Sequence, residues 1–325
     1  MTNERQKWID CGKGICIILV VYGHMSGGFL NEGQNLSLFT TIAYKSIYHF
    51  HMPFFFIVGG AFATASLTKQ NSVDFLTNKT KVLLYPYLIW TLIQGLTLLA
   101  ASNFTHINFE ILGILNAWYI PVQHLWFLYS FFIMHLLLAT FSRLRFYHYI
   151  VIPISLYLFL KPINSPIATL NFISIYLIFY ALGACLGSAI TKPSTFKTST
   201  LAAVAFLSLS SYALLFSYAS LGVVLIIELL ALIGVSAIFM LISKTKLSSF
   251  FEYIGSHSLQ IYLAHGVFGS TLRVLLFNFI GYDNKEIIIL ISTALGVAAP
   301  IISYKLLKSI GSDFIFELPA KQKKV

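Results

Sequence analysis

Apolar stretches long enough to cross a bilayer follow one another along almost the whole chain, with short polar segments between them. A helix needs about 20 predominantly apolar residues to span a hydrocarbon core that is ~30 Å thick. The pattern therefore predicts an all-α protein, a polytopic transmembrane helical bundle of ten spans. The predicted spans are residues 9–29, 47–66, 83–101, 122–141, 146–160, 172–190, 199–217, 220–243, 254–278 and 287–307. The fifth is short and contains Pro153.

The segments between the spans are too short to form domains of their own. We expect a single transmembrane domain over residues 1–310, followed by a short basic cytoplasmic tail at 311–325. Composition agrees, because only 10% of the 325 residues are charged, compared with about 25% in soluble domains. The three cysteines lie in apolar surroundings and indicate neither a disulfide framework nor a metal site.

Positive charge is unevenly distributed between alternate connections. With a cytoplasmic N-terminus, seventeen of the 21 lysines and arginines lie on the cytoplasmic side. The four on the outer side are Lys45, Lys161, Arg273 and Lys285. This is the positive-inside asymmetry of membrane proteins, and it predicts that both termini are cytoplasmic. Topology, rather than nucleic-acid binding, then accounts for the net charge of +10.

The first span, WIDCGKGICIILVVYGH, carries three polar residues on one face. Asp10 and Lys13 are three positions apart and can pair on adjacent turns, and His24 follows eleven positions later, about three full turns on. With Lys13 near the inner interface, His24 lies roughly 16 Å deeper, close to the bilayer midplane. A capping Asp10, a snorkelling Lys13 and a packed core histidine are the structural alternatives. For His24 we favour a functional role, because ionisable groups inside a membrane are costly.

Several other polar residues lie in or beside apolar spans. By position, the candidates for substrate or donor binding are His124, Trp126, Glu228 and Arg273. Interfacial packing is the alternative for His51 and for His124 beside Trp126. Arg273 could meet Glu228 or an anionic substrate, whereas His49 and His135 are predicted to be structural. Gly59 and Gly60 are expected to permit close helix approach. Because the sequence contains no metal-ligand spacing such as HExxH or paired CxxC, it predicts no metal.

Four ordered motifs resemble those of the acyltransferase family 3 membrane proteins. The first is the Asp10, Lys13, His24 pattern, and the others are FHMPFFFIVGG at 50–60, HLWFLYSFF at 124–132 and IGSHSLQIYLAHGV at 254–267. The ten predicted spans also agree with the ten-helix core of that family. The resemblance implies that His51, in the second motif, and Tyr262 and His265, in the fourth, are further candidates for substrate or donor binding. One element departs from the family. Where its members carry an Arg-x-x-Arg pair before the third span, this chain has Lys79 and, one position displaced, Lys81.

The resemblance implies an enzyme of the bacterial cytoplasmic (inner) membrane. Such an enzyme transfers an acyl group, most often acetyl, from cytoplasmic acyl-CoA to a hydroxyl of a cell-surface or lipid-linked carbohydrate. His24 is expected to act as general base or, alternatively, as a covalent acyl carrier. Asp10 and Lys13 would shape the CoA entrance, and Lys79 and Lys81 would bind CoA phosphates. The alternatives are a proton-coupled transporter or flippase for a glycolipid or small anion, and a structural subunit of a glycan-export assembly.

Overall fold

In the computed structural model of the protein, every regular element in the described residues is a helix. The structure describes residues 4–102, 109–142, 147–189 and 220–318. The α-helices are α1 Glu4–Asn31, α2 Leu38–Tyr48, α3 His51–Leu67, α4 Ser72–Lys79, α5 Tyr85–Ala101, α6 Ile111–Leu115, α7 Trp126–Phe141, α8 Tyr147–Leu160, α9 Ala168–Leu186, α10 Leu221–Ile242, α11 Ser248–Ser256, α12 Ser258–His265, α13 Thr271–Val274 and α14 Lys285–Ser309. Three π-helical turns, Thr80–Leu84, Gly266–Ser270 and Leu275–Phe279, join some of them.

Within the described residues, eight helical segments are long and apolar enough to cross a membrane. They overlap eight of the ten predicted spans, so the prediction of an all-α transmembrane bundle is confirmed. The predicted fifth span lies on α8, which has only 14 residues and encloses Pro153. The predicted seventh span, 199–217, lies outside the described residues. The total of ten spans and the cytoplasmic location of the termini stay predictions.

The predicted second span, 47–66, is interrupted near its start rather than being one continuous helix. Helix α2 ends at Tyr48 and α3 begins at His51, with Phe50 at a non-helical φ of -130°. Pro53 explains the restart, because proline lacks an N–H and fits best in the first turn of a helix. The break therefore places His49 and His51 at helix ends, where their rings can turn towards neighbouring helices.

Glycines set the closest helix contacts in the bundle. A Cβ on Gly60 of α3 would collide with the carbonyl oxygen of Tyr180 on α9, and one on Gly183 would collide with that of Ile57. The backbones of α3 and α9 therefore touch, as in membrane helix pairs built on small residues. The sequence-based expectation for Gly60 is met here. A Cβ on Gly59 would instead meet the ring of Phe131 on α7.

Helix α1 lies at the centre of the bundle. It packs against α2, α3, α10, α11, α12 and α14. Its contact with α11 is also backbone to backbone, because a Cβ on Gly14 would strike the carbonyl oxygen of Phe251. Burial on most sides holds α1 in a fixed rotation. The direction of each polar side chain on α1 is therefore fixed by its position in the sequence.

The chain after α14 turns back onto the bundle. The indole Nε1 of Trp90 donates to the carbonyl oxygen of Ile315 at 2.7 Å, and Phe316 is fully buried. The Tyr304 hydroxyl and the Lys308 ammonium both donate to Glu317. Residues 311–318 of the predicted cytoplasmic tail thus pack against α5 and α14, and the rest of that tail lies outside the described residues.

Candidate active site

Three histidines from distant parts of the chain meet beside α1. One ring nitrogen from each of His24, His124 and His265 lies within 4.8 Å of those of the other two. The ring centroids of His24 are 5.4 Å from His124 and 5.1 Å from His265, and those two rings are 4.2 Å apart. We call these three residues the histidine cluster.

His265 is the last residue of α12 and is fully buried. Its Nδ1 lies 3.0 Å from the carbonyl oxygen of Ile261 and 2.8 Å from that of Tyr262. Because carbonyl oxygens only accept, the ring proton belongs on Nδ1, which donates to them. The opposite nitrogen, Nε2, is buried and has no hydrogen-bond partner within the described part of the chain. His265 therefore presents an unprotonated nitrogen to the cluster.

His124 lies in a 3₁₀ turn just before α7 and is held by Tyr262. Its Nε2 lies 3.0 Å from the Tyr262 carbonyl oxygen, and the Tyr262 hydroxyl donates to the backbone carbonyl of His124. The amide nitrogen of Gln94 lies 3.2 Å from the same Nε2. Because Nε2 cannot donate to the Tyr262 carbonyl and also accept from the Gln94 amide, we assign the shorter contact, Nε2–H to the Tyr262 oxygen, as the hydrogen bond, which leaves the lone pair on Nδ1.

His24 is the partly exposed member of the cluster and makes no hydrogen bond to the residues that the structure describes. It faces two imidazoles whose available nitrogens are acceptors. Such a pair can accept an N–H from His24 and leave the other His24 nitrogen free to take a proton from a ligand. It also stabilises the His24 imidazolium once that proton has been taken. The arrangement can therefore perform general base chemistry.

The three ring nitrogens of the histidine cluster are also close enough together to be considered as ligands of one metal ion. Three neutral imidazoles are a common set of metal ligands, and two of these, His124 and His265, have their outer nitrogens held by backbone carbonyls. The cluster includes no carboxylate or thiolate, however. A divalent cation would bring its full charge into the bilayer without a compensating anion, which is costly. Sequence spacing does not reveal this cluster, because its members are 100 and 141 positions apart.

Asp10 and Lys13 form the ion pair expected from their spacing, with the Lys13 Nζ 2.6 Å from the Asp10 carboxylate. Both side chains are partly exposed at the N-terminal part of α1. Eleven residues of helix, roughly 16 Å, separate Lys13 from His24. The pair is therefore on the same helix as the cluster but not in contact with it. A role at an entrance is compatible with this placement.

The other buried charged residues do not form the Arg273–Glu228 contact that the sequence allowed. Arg273 does not meet Glu228; its Nη2 donates to Glu32 at 2.8 Å, and its guanidinium lies over the Phe29 ring. Glu228 instead lies 3.1 Å from His49 Nδ1, so His49 has a specific polar partner. Sequence reasoning missed Glu32 because it lies in a polar connection, where glutamate needs no special explanation.

The remaining candidates lie near the cluster's supporting helices or at the junction of α4 and α5. His51 is buried, and its Nδ1 donates to the Ile47 carbonyl oxygen at 2.6 Å. Trp126 stacks on Phe172 with ring centroids 4.0 Å apart. The Lys79 Nζ lies 5.3 Å from the Phe75 ring centroid, whereas Lys81 is exposed. The two lysines are therefore in different environments.

The fold and the site define a helical membrane protein with a buried imidazole centre. The acyltransferase family 3 model, described as "Acyltransferase domain", matches residues 6–305, which is almost the entire chain. The protein belongs to this family.

Two curated relatives are both described as "Nodulation protein NolL". The chain is 29% identical over 147 residues to the Mesorhizobium japonicum protein and 29% identical over 143 residues to the Sinorhizobium fredii protein. Each match covers 44% of this chain, and 38% and 39% of the two relatives. The matched region thus spans less than two fifths of the length of these relatives. No solved structure matches the chain.

Proposed function

We propose that the protein is a membrane O-acyltransferase of the bacterial cytoplasmic membrane. It would transfer an acyl group, acetyl in our proposal, from cytoplasmic acyl-CoA to a hydroxyl of a cell-surface or lipid-linked carbohydrate. The observation that carries this proposal is the convergence of two acceptor imidazoles on His24 in a chain of an acyltransferase family. The proposed reaction uses no metal, because the histidine cluster includes no carboxylate or thiolate to offset the charge of a cation inside the bilayer.

In the proposed mechanism, His24 accepts the proton of the acceptor hydroxyl as its oxygen attacks the thioester carbonyl carbon. The new C–O bond forms, the C–S bond breaks, and the His24 imidazolium returns the proton to the departing CoA thiolate. The products are an ester and free CoA, and no other reactant is needed. His124 and His265 act through His24, since their lone pairs accept its N–H and stabilise its charged form.

Donor and acceptor would approach from opposite ends of α1. Asp10 and Lys13 lie on the side that charge asymmetry assigns to the cytoplasm, together with Lys79 and Lys81 on α4 and the following π-helical turn. Lys79 and Lys81 suit the phosphates of CoA, and Lys13 and Asp10 would shape its entrance. His51, Trp126, Glu228, Tyr262 and Arg273 are proposed to support acceptor binding or the helices around it.

The test compares His24→Gln with His135→Gln in the purified protein, supplied with labelled acetyl-CoA and carbohydrate acceptors. Glutamine keeps hydrogen-bonding capacity but cannot accept a proton at neutral pH. His135 is a matched control, because it is buried among Phe75, Phe131 and Tyr180 and its Nδ1 donates to the Phe131 carbonyl oxygen at 2.6 Å. Removing a general base costs about 10²–10⁴-fold in rate.

We expect His24→Gln to lose kcat by that factor with unchanged folding, and His135→Gln to keep its activity. Near-normal transfer by His24→Gln would contradict the mechanism. The transporter alternative would instead be favoured by two results together. The unaltered protein would transfer no label to any carbohydrate, and it would move the acceptor across the membrane of vesicles that contain it.

A further inference from the structure

A cavity of about 280 Å³ opens at the C-terminal end of α5, beside the segment that leads into His124. It is lined by Leu98, Phe109, Gly113, Asn116, Ile120, Pro121, Val122 and Gln123. Only Asn116 and Gln123 bring polar side chains to it, and neither amide is hydrogen-bonded within the described ranges. We call this space the outer cavity, because charge asymmetry places the end of α5 outside the cytoplasm.

Gln123 has a backbone conformation that needs an explanation. Its φ is +45°, and no other non-glycine residue in the described residues has a positive φ. Left-handed backbone is unfavourable for glutamine, and such positions cluster at functional sites. Here the conformation turns the chain so that Gln123 borders the outer cavity while the next residue, His124, enters the histidine cluster.

Gly266 connects the two regions. A Cβ at Gly266 would lie 3.0 Å from Cε1 of His124 and 4.0 Å from the side-chain oxygen of Gln123. The His124 ring and the Gln123 amide thus both border the space beside Gly266 that a side chain would occupy. Gln123, which lines the outer cavity, therefore places its side-chain oxygen close to the His124 ring of the histidine cluster.

We propose that the outer cavity is the acceptor subsite and holds one neutral sugar ring, with Asn116 and Gln123 as the residues that select it. This inference rests on the proposed acyltransferase function. Ligand pockets are usually about 300–1,000 Å³, so a cavity slightly below that range suits a single ring. An amide both donates and accepts, as a sugar hydroxyl does, while Phe109 offers an apolar face. No charged residue lines the cavity, which favours a neutral ring.

The proposal assigns Gln123 a second task, which is to direct one ring hydroxyl towards His24. The side-chain oxygen of Gln123 and the His124 ring both lie beside the face of Gly266 on which a Cβ would sit. A hydroxyl held by Gln123 is therefore next to the cluster before the donor thioester arrives. Holding both reactants in place makes the reaction effectively unimolecular and accounts for a large part of many rate enhancements.

The test measures KM for both substrates in Gln123→Ala and Asn116→Ala, with labelled acetyl-CoA and the methyl glycosides of neutral hexoses and N-acetylhexosamines as acceptors. We expect the acceptor KM to rise about tenfold in each variant, as for the loss of one hydrogen bond to a substrate, with an unchanged KM for acetyl-CoA. Gln70→Ala is the matched control, because its amide donates to Ser66 at the cytoplasmic end. Its acceptor KM should not change.

A binding measurement keeps the proposal testable without turnover. In a variant lacking Cys11, Cys16 and Cys185, a single cysteine replaces Gln123, and an impermeant thiol reagent labels it from outside. We expect the best acceptor glycoside to slow this labelling at least threefold, while labelling of Asn35→Cys is unaffected. The subsite proposal would be overturned if the acceptor KM is unchanged in Gln123→Ala and Asn116→Ala and the glycoside does not slow labelling of the cysteine at position 123. That conclusion would hold even if His24→Gln is inactive. Tolerance of His24→Gln, by contrast, would contradict the mechanism alone.

Discussion

At the residue scale, Gly266 gives a sharp test of the cluster's geometry. A Cβ there would lie 3.0 Å from Cε1 of His124, so alanine must push the imidazole by a few tenths of an ångström. Displacements of about 1 Å can cost 10²-fold in rate, so we expect Gly266→Ala to lower kcat about tenfold with little change in either KM. Gly222→Ala is the control, because its added Cβ would meet only Leu160, at 3.8 Å. Equal kcat in both variants would show that the His124 position does not matter.

The two lysines proposed for CoA binding can be separated by single substitutions. Lys79 is partly enclosed over Phe75, whereas Lys81 is exposed and free to reach a phosphate from solvent. We expect Lys81→Ala to raise the KM for acetyl-CoA about three- to tenfold at low salt, with a smaller effect at high salt because exposed charges are screened. Lys79→Ala should also reduce stability, because its ammonium lies over the Phe75 ring. Unchanged KM in the double variant would relocate the donor site.

The sequence predicts which individual residues belong to the site better than it predicts which residues they contact. Helix geometry alone places Asp10, Lys13 and His24 on one face of α1, and the ion pair is formed as expected. The meeting of His124 and His265 depends on how distant helices pack, and neither periodicity nor spacing contains that information. The same limit applies to Arg273, whose partner, Glu32, lies 241 positions away.

At the element scale, the bundle depends on a few backbone contacts that only glycine allows. Gly60 and Gly183 let α3 and α9 touch, and a carbonyl oxygen cannot yield as a flexible side chain can. We expect Gly60→Ala and Gly183→Ala each to destabilise the protein by about 1–3 kcal/mol through overpacking. The measurement is the fraction that stays monodisperse after heating in detergent. Gly222→Ala should behave like the unaltered protein, and equal thermal loss in all three variants would contradict the close contact.

Element boundaries show where sequence patterns stop being informative. Hydropathy predicts α1, α5, α10 and α14 well, because long apolar runs in a bilayer have few alternatives to a helix. The break between α2 and α3 and the π-helical turn after His265 lie within apolar runs, where hydropathy does not change. π-helical turns are frequent at functional sites. The one at Gly266–Ser270 follows the cluster directly, so the least predictable element adjoins the proposed chemistry.

At the scale of the whole molecule, the proposed donor and acceptor regions lie at opposite ends of α5. Lys81 precedes its first turn, and Leu98 lines the outer cavity near its last. Seventeen residues of helix separate them, about 25 Å, which is most of a hydrocarbon core. Between these ends, the histidine cluster contacts α5 through Gln94, whose amide reaches His124. This separation is the one that the proposed transfer across a membrane requires, with donor and acceptor on opposite sides of the cluster.

Because the proposed donor and acceptor regions lie at opposite ends of α5, the proposal depends on the orientation of the protein in the membrane. Charge asymmetry predicts that the connection containing Gln70 is cytoplasmic and that Asn35, next to Lys285, faces outward. In a variant without native cysteines, a single cysteine at Asn35 should react with an impermeant thiol reagent added to intact cells. Cysteines at Gln70, and at Ser194 outside the described residues, should react only after permeabilisation. Labelling of Gln70→Cys from outside intact cells, with Asn35→Cys protected, would reverse the orientation. The lysines would then face away from the cytoplasmic pool of acyl-CoA, and the donor would have to reach His24 through the outer cavity.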